Sequence, residues 1–180
     1  VKEVLKFIRS SIPTSISIRE NITSRSKVIA NATQIHQVIM NLCTNASHAM
    51  DEEGGTLTVD LVDVHLDDYR YVSGQKVVSG DYIRLAVTDT GIGIPPDIVD
   101  RIFEPYFTTK SVEEGTGMGL ALVQSIINEA GGVVQVESAV NAGTRFEILL
   151  PVTEKEKRVE KTYSEPLKPG KGSILFVDDE

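Results

Sequence analysis

The sequence predicts an α+β fold: a two-layer sandwich with helices packed on one face of a sheet. Three observations lead there. Residues 34–50 carry apolar side chains at helical spacing, while residues 15–22, 56–64 and 82–87 alternate apolar and polar with the period of a strand. A second helix-spaced stretch, 118–130, is followed by two more alternating segments. The order mixes helices and strands without a strict β–α–β alternation, which favours a sandwich over a doubly wound parallel sheet.

Taken along the chain, residues 1–8 (VKEVLKFI) have the spacing of a short helix. In 15–22, Ile16, Ile18 and Ile22 alternate with Ser17, Arg19 and Asn21, which predicts a strand. The long helix over 34–50 gathers Ile35, Val38, Ile39, Leu42, Cys43, Ala46, Ala49 and Met50 into one stripe, and Gly54-Gly55 ends it. Strands at 56–64 and 82–87 flank a polar excursion, 67–81, that reads as a long hairpin. The least regular stretch runs from Asp89 to about Gly117 and holds Gly91, Gly93 and Gly115. After the helix over 118–130, closed by Gly131-Gly132, strands at 133–138 and 144–150 form a hairpin around Asn141-Ala142-Gly143.

Composition divides the chain into a globular part, 1–151, a linker, 152–172, and a short apolar end, 173–180. Nearly half of the linker is charged, it has no apolar period, and Pro166, Pro169, Gly170 and Gly172 close it. Across 180 residues the formal charge is −8, which argues against nucleic-acid binding, since a phosphate backbone needs a clustered positive face. No apolar run approaches the ~20 residues that span a bilayer, so no membrane contact is expected from this stretch. One cysteine, Cys43, excludes an internal disulfide and is expected to be a packed core residue. His36, His48 and His65 form no H-E-x-x-H and cannot build a zinc site of ordinary spacing with a single cysteine.

Three features suggest chemistry. Asn41, Asn45 and His48 stand at i, i+4 and i+7 on the long helix, a polar stripe beside the apolar one. Asparagine disfavours helix interiors, so two in register serve either as hydrogen-bonding core groups or as neutral, hard ligands for Mg²⁺ that already carries phosphate. Asp89-Thr90-Gly91-Ile92-Gly93-Ile94-Pro95 follows a strand, where the acid can accept from an exocyclic amine. Gly115-Thr116-Gly117-Met118-Gly119-Leu120 opens a helix, the setting of a phosphate cradle. Neither glycine cluster has Rossmann or P-loop spacing. Between them, Phe103-Glu104-Pro105-Tyr106-Phe107-Thr108-Thr109-Lys110 places three aromatics on a long loop, as in a lid that folds over a ligand.

Taken in order, these segments resemble the ATP-binding catalytic domain of bacterial sensor histidine kinases, whose fold is shared with gyrase, ninety-kilodalton heat-shock chaperones and mismatch-repair ATPases. Residues 36–46 (HQVIMNLCTNA) resemble the N box, 89–93 (DTGIG) the first glycine box, 103–110 the F box, and 115–120 (GTGMGL) the second glycine box. Residues 143–146 (GTRF) resemble the strand that closes the adenine pocket. The resemblance implies a Bergerat (GHKL) fold, with a mixed sheet and a flexible ATP lid, and ATP and Mg²⁺ as cofactors. It implies that Asp89 binds the adenine amine with Gly91, Gly93, Ile94 and Thr144 beside it. Asn45 would ligate Mg²⁺, with Asn41 close to the metal or the phosphates. Lys110 would reach a terminal phosphate, so that Asn41, Asn45 and Lys110 form the catalytic set. Phe107, Thr116, Gly117, Met118, Gly119 and Leu120 would complete the nucleotide contacts, with His48 facing phosphate.

Hydrolytic relatives carry a glutamate one turn before the metal-binding asparagine. Asn41 occupies that place, and a neutral amide cannot take a proton from water. The resemblance therefore implies slow hydrolysis and transfer of the γ-phosphoryl group to a histidine brought from elsewhere, in two-component signal transduction. No histidine here has the acceptor pattern, so the phosphoacceptor helices are expected to precede Val1. Residues 173–180 (SILFVDDE) resemble the first strand of a receiver domain, as in a hybrid kinase. A cytoplasmic domain is expected, in a longer chain with or without a membrane anchor. The alternatives are an anti-sigma-type serine kinase of the same fold and a non-catalytic partner-docking module.

Overall fold

The computed structural model describes residues 1–51, 53–109 and 116–153. Its elements in chain order are α1 (Lys2–Ser11), β1 (Ile16–Ile22), α2 (Ala32–Ala49), β2 (Gly55–Leu66), β3 (Arg70–Val72), β4 (Gln75–Val77), β5 (Gly80–Thr88), a 3₁₀ turn (Val99–Arg101), α3 (Gly119–Glu129), β6 (Val133–Ala139) and β7 (Gly143–Pro151). Five strands form one sheet in the order β1-β2-β5-β7-β6. β1 and β2 pair in parallel and the other neighbours are antiparallel, so the sheet is mixed.

Strand alternation decides where the core lies. Leu57 and Val59, Leu85 and Val87, Phe146 and Ile148 all turn to one face, and they meet Val4 and Ile8 of α1, Ile39 and Leu42 of α2, and Val123 and Ile127 of α3. All three helices therefore cover the same side of the sheet. Burying this apolar surface at ~25 cal/mol per Å² is the main force holding the layers together. Cys43 is fully buried in that core, and burial pushes its thiol pKa up to about 12.

Local chemistry sets the helix ends. α2 starts two residues before the apolar period suggests, because Asn31 caps it: its Oδ1 accepts from the N–H groups of Thr33 (2.9 Å) and Gln34 (3.3 Å). α1 runs to Ser11, beyond the expected 1–8. There the Arg9 guanidinium donates to the carbonyls of Ile16 (2.6 Å) and Pro13 (2.7 Å), and so fixes the turn into β1.

The excursion between β2 and β5 is more than a long hairpin. It contains a two-stranded ribbon of its own, β3–β4, turning through Ser73 (φ 49°) and Gly74 (φ 78°). The ribbon lays Val72 and Val77 over Tyr82, Val133 and Leu149 on the face away from the helices. His65 lies at the far end of β2, paired with Asp81 (2.6 Å), clear of the stripe on α2. The linker beyond Thr153 and the apolar end at 173–180 lie outside the described residues, as do Lys110 and Gly115. Among the described residues, no helix is long and apolar enough to cross a membrane.

Candidate functional site

One end of the sheet collects the residues of interest. β5 delivers Asp89 immediately after its last residue, with side-chain parity toward the helices, and only 5 % of it is exposed. Asp89 Oδ1 accepts from the backbone N–H groups of Gly91 (2.9 Å) and Thr144 (3.2 Å). Burial raises the carboxyl pKa above its ordinary value, and the two N–H groups pull it back in part. Thr144, also 5 % exposed, stands beside it on β7.

The chain then crosses the C-terminal end of α2, where the Ile92 N–H donates to the Ala49 carbonyl (3.0 Å). That bond sets the first glycine segment against the helix bearing Asn41, Asn45 and His48. Next, Gly93 adopts φ +69°, and a Cβ there would lie 2.0 Å from the Ala139 carbonyl oxygen, so only glycine fits. The Ile92 carbonyl accepts from Asn141 (2.7 Å), and the Ile94 N–H donates to Ser138 Oγ (2.8 Å). Backbone and side-chain bonds thus stitch the loop to the β6–β7 hairpin.

Asn41 and Asn45 are both half-buried on α2, and His48 is exposed one turn on. Asn41 Nδ2 donates to the Gly119 carbonyl at 3.4 Å, a long bond that joins the stripe to the start of α3. Its oxygen is not used in that bond. Asn45 makes no side-chain hydrogen bond among the described residues. At the start of α3, Met118 supplies no side-chain cap, so among the described residues the first-turn N–H groups beside Asn41 have no side-chain acceptor. Leu120 packs inward on the core, whereas Met118 is 42 % exposed.

The aromatic segment is anchored at its beginning. Ile102 is buried, and the Phe103 ring meets Phe146 edge-on at 6.4 Å. Arg101 stacks on Phe107 at 4.6 Å. Of the three aromatics expected on a lid, Phe103 and Phe107 both pack against the core of the domain, and Tyr106 stands out from it. Tyr106 is 76 % exposed, and its N–H donates to the Gly117 carbonyl (2.9 Å). Thr116 Oγ1 accepts from the Met118 N–H (3.4 Å), within the second glycine segment.

A depression of about 330 Å³ opens at this end of the sheet, lined by Thr88, Asp89, Glu137, Ser138, Ala139, Ala142, Gly143, Thr144 and Arg145. Neither Asn41 nor Asn45 lines it, so the acid and the amides do not share one enclosed cavity. Asp89, Gly91, Thr144, Ser138 and Ile94 form one hydrogen-bonded cluster, with Gly93 pressed against Ala139, while Asn41 and Gly119 form a second contact across α2 and α3. No motif in the sequence singles out Ser138. The available signal was its parity: Val134, Val136 and Ser138 fall on the same side of β6, and a serine ends that apolar row.

This arrangement has known counterparts. Residues 30–154 match the family model described as "Histidine kinase-, DNA gyrase B-, and HSP90-like ATPase". The chain belongs to that family. Within it, similar proteins include sensor kinases. The sensor kinase CckA of Brucella abortus is 39 % identical over 165 residues, and NtrB, a sensory histidine kinase/phosphatase of Rhodobacter capsulatus, is 41 % identical over 128. These alignments take in 85 % and 71 % of this chain but 17 % and 34 % of the relatives, so the chain spans a minor part of their length. Among solved structures, the nucleotide-free catalytic domain of the histidine kinase ThkA superposes with a TM-score of 0.66 at 30 % identity, covering 84 % of this chain and 90 % of that one. Full-length ShkA, solved in complex with AMPPNP, gives 0.60 at 25 % identity and covers 84 % and 30 %. The protein is thus a catalytic domain of the histidine-kinase type, with the mixed sheet and one-sided helices of the GHKL ATPase fold.

The donor set suits a magnesium nucleotide. Among the described residues, no group of three His, Cys, Asp or Glu side chains could hold a metal ion. A cation bound by the half-buried amide of Asn45 would need anionic oxygens from its ligand, and a triphosphate brings them.

Proposed function

We propose that this domain binds Mg-ATP and donates the γ-phosphoryl group to a histidine on a separate phosphoacceptor domain, in two-component signalling. The observation that carries the reading is the buried carboxylate of Asp89. Among the described residues, both of its protein donors converge on Oδ1, which leaves Oδ2 as the acceptor for an incoming N–H. The 6-amino group of adenine meets that need and offsets the cost of burying the charge.

Each side chain then has a physical task. Thr144, Gly91, Gly93 and Ile94 shape the adenine end, and Asn45 holds Mg²⁺ through its amide oxygen. Asn41 keeps the start of α3 against α2, so that N–H groups near Gly117, Met118 and Gly119 can meet phosphate oxygens. Thr116, Leu120 and Phe107 border this region, His48 faces the phosphates, and Lys110 offers a cation to the terminal one. Bound Mg²⁺ supplies charge neutralisation for phosphoryl transfer. No carboxylate stands at position 41 to activate water, so the phosphoryl group is kept for the imidazole. The acceptor helices, and a receiver domain beginning near Ser173 after a linker at 152–172, belong to the longer protein in this proposal.

The test is autophosphorylation of the longer chain with ATP and Mg²⁺. Acid-labile, base-stable phosphate on histidine is expected, with little release of inorganic phosphate from the isolated domain. Rapid hydrolysis by the isolated domain, or acid-stable phosphoserine on a partner, would overturn the proposal.

A further inference from the structure

Thr90 joins three elements through one hydroxyl. Its Oγ1 accepts from the Thr56 N–H near the start of β2 (3.0 Å) and lies 3.8 Å from Met50 Sδ, at the C-terminal end of α2. An N–H can only donate, so the hydroxyl keeps its own proton for the sulfur, a weak acceptor. Met50 is buried, and a Cβ on Gly55 would fall 2.6 Å from both Met50 Sδ and Thr90 Oγ1, so the joint closes over a glycine. Thr90 itself is exposed, yet its hydroxyl turns back onto the chain.

Thr90 is also the middle residue of a turn. Asp89 Oδ1 accepts from the Gly91 N–H two residues on, as in an Asx turn, and that ring closes only for a narrow range of backbone angles at Asp89 and Thr90. On one side Asp89 is held by β7, since its N–H donates to the Thr144 carbonyl (2.9 Å). On the other, the chain is held by α2, through the Ile92 N–H and the Ala49 carbonyl (3.0 Å). Between these fixed points the Thr90 hydroxyl is a side-chain tether on the turn itself.

We infer that Thr90 is a positioning residue for Asp89: by tying the centre of the turn to β2 and to the end of α2, its hydroxyl holds the Gly91 N–H on Oδ1 and so aims Oδ2 at the nucleotide. What Oδ2 meets rests on the nucleotide reading above, whereas the hold on the carboxylate is measurable without ligand. The same hydroxyl links the acid to the helix that carries Asn45, so the base end and the metal end of the proposed site share one joint.

The experiment is an NMR titration of the Asp89 carboxyl, with calorimetry of Mg-ATP binding, on the unaltered protein, Thr90→Val and Thr90→Ser. Valine keeps the branched shape and removes the hydroxyl, while serine keeps the hydroxyl. In the unaltered protein the Gly91 and Thr144 amide protons should both shift as Asp89 titrates, because both donate to Oδ1. In Thr90→Val the Gly91 amide should stop following and the Thr144 amide should continue. Asp89 should then titrate at higher pH, having lost one donor to its charged form. ATP affinity should fall about tenfold. Thr90→Ser should restore all of these. A Gly91 amide that still follows the titration in Thr90→Val would overturn the inference. Loss of both amide responses would do so too, marking Thr90 as structural only, and unchanged ATP affinity with the Gly91 response lost would overturn the aiming of Oδ2. Failure of the unaltered protein to bind ATP would count against the nucleotide reading instead, with the amide responses still deciding the hold on Asp89. Should Thr90→Val not fold, the unaltered protein decides: three-bond couplings that report a single Thr90 χ1 rotamer are expected, and rotamer-averaged couplings would overturn the tether.

Discussion

Tyr106 and Gly117 hold each other across the segment that separates them. The Tyr106 N–H donates to the Gly117 carbonyl at 2.9 Å, and both residues have left-handed backbones, φ 68° and 66°. A Cβ on Gly117 would fall 2.4 Å from the Tyr106 carbonyl carbon. The close approach needs glycine on one side, and on the other it holds a tyrosine in a conformation that costs of order 1 kcal/mol. This pair closes the base of the segment that contains Lys110.

Gly117→Ala should therefore release the contact. We expect a loss of about 1–3 kcal/mol in unfolding free energy by urea titration, together with weaker nucleotide binding. Tyr106→Gly should keep the backbone bond and leave stability unchanged or slightly higher. If Gly117→Ala melts like the unaltered protein, the clash has relaxed and the anchoring account is wrong.

Asp89 should impart opposite pH slopes to stability and to ligand binding. Its folded pKa lies above the ordinary 3.8 because burial disfavours the charge. Between those two values the folded state binds more protons than the unfolded state, so stability falls as pH rises through that window and is level above it. Nucleotide affinity should rise over the same window, as the carboxylate that accepts the amine forms. Thermal melts of Asp89→Asn should lack the stability slope, and calorimetry of Asp89→Ala should find no ATP binding. Equal ATP affinity in Asp89→Ala would reject the adenine assignment.

Asn45→Ala should separate metal from base. With no protein partner among the described residues, the amide can be removed without orphaning a neighbour, so thermal stability should stay within about 0.5 kcal/mol. ATP affinity in the presence of Mg²⁺ should fall roughly tenfold, while affinity in chelator should hardly move. A loss of equal size with and without Mg²⁺ would remove Asn45 from the metal.

Cys43 should be chemically silent while the domain is folded. With the thiol fully buried and its pKa pushed up to about 12, the reactive thiolate at neutral pH is on the order of 10⁻⁵ of the population. Alkylation should follow the rate of unfolding and accelerate in urea. Nearby, Leu42→Ala should cost about 2–5 kcal/mol, since Leu42 is 1 % exposed in the same core. Rapid labelling in native buffer would show that this part of α2 opens independently.

The α2 stripe, the strand alternation and the order of the motifs were legible in the sequence because periodicity records which face is buried. The β3–β4 ribbon was not. Its strands are three residues each, too short for a period, and they are defined by packing on Tyr82, Val133 and Leu149, residues distant in the chain. Phe103 looks in the sequence like a lid residue beside Tyr106 and Phe107, since nothing local distinguishes an aromatic that packs on Phe146 from one that faces a ligand.

By itself, the sequence determined the layers of this protein, the family it joins and the residue types available for a nucleotide, all of which follow from local spacing and side-chain chemistry. Only the tertiary structure decided that Asp89 shares an oxygen between Gly91 and Thr144, that Asn41 spans to Gly119, and that the hydroxyls of Ser138 and Thr144 meet. Hydrogen-bond direction depends on which donors and acceptors meet in space. These groups lie far apart along the chain and meet only when the sheet closes beneath the helices.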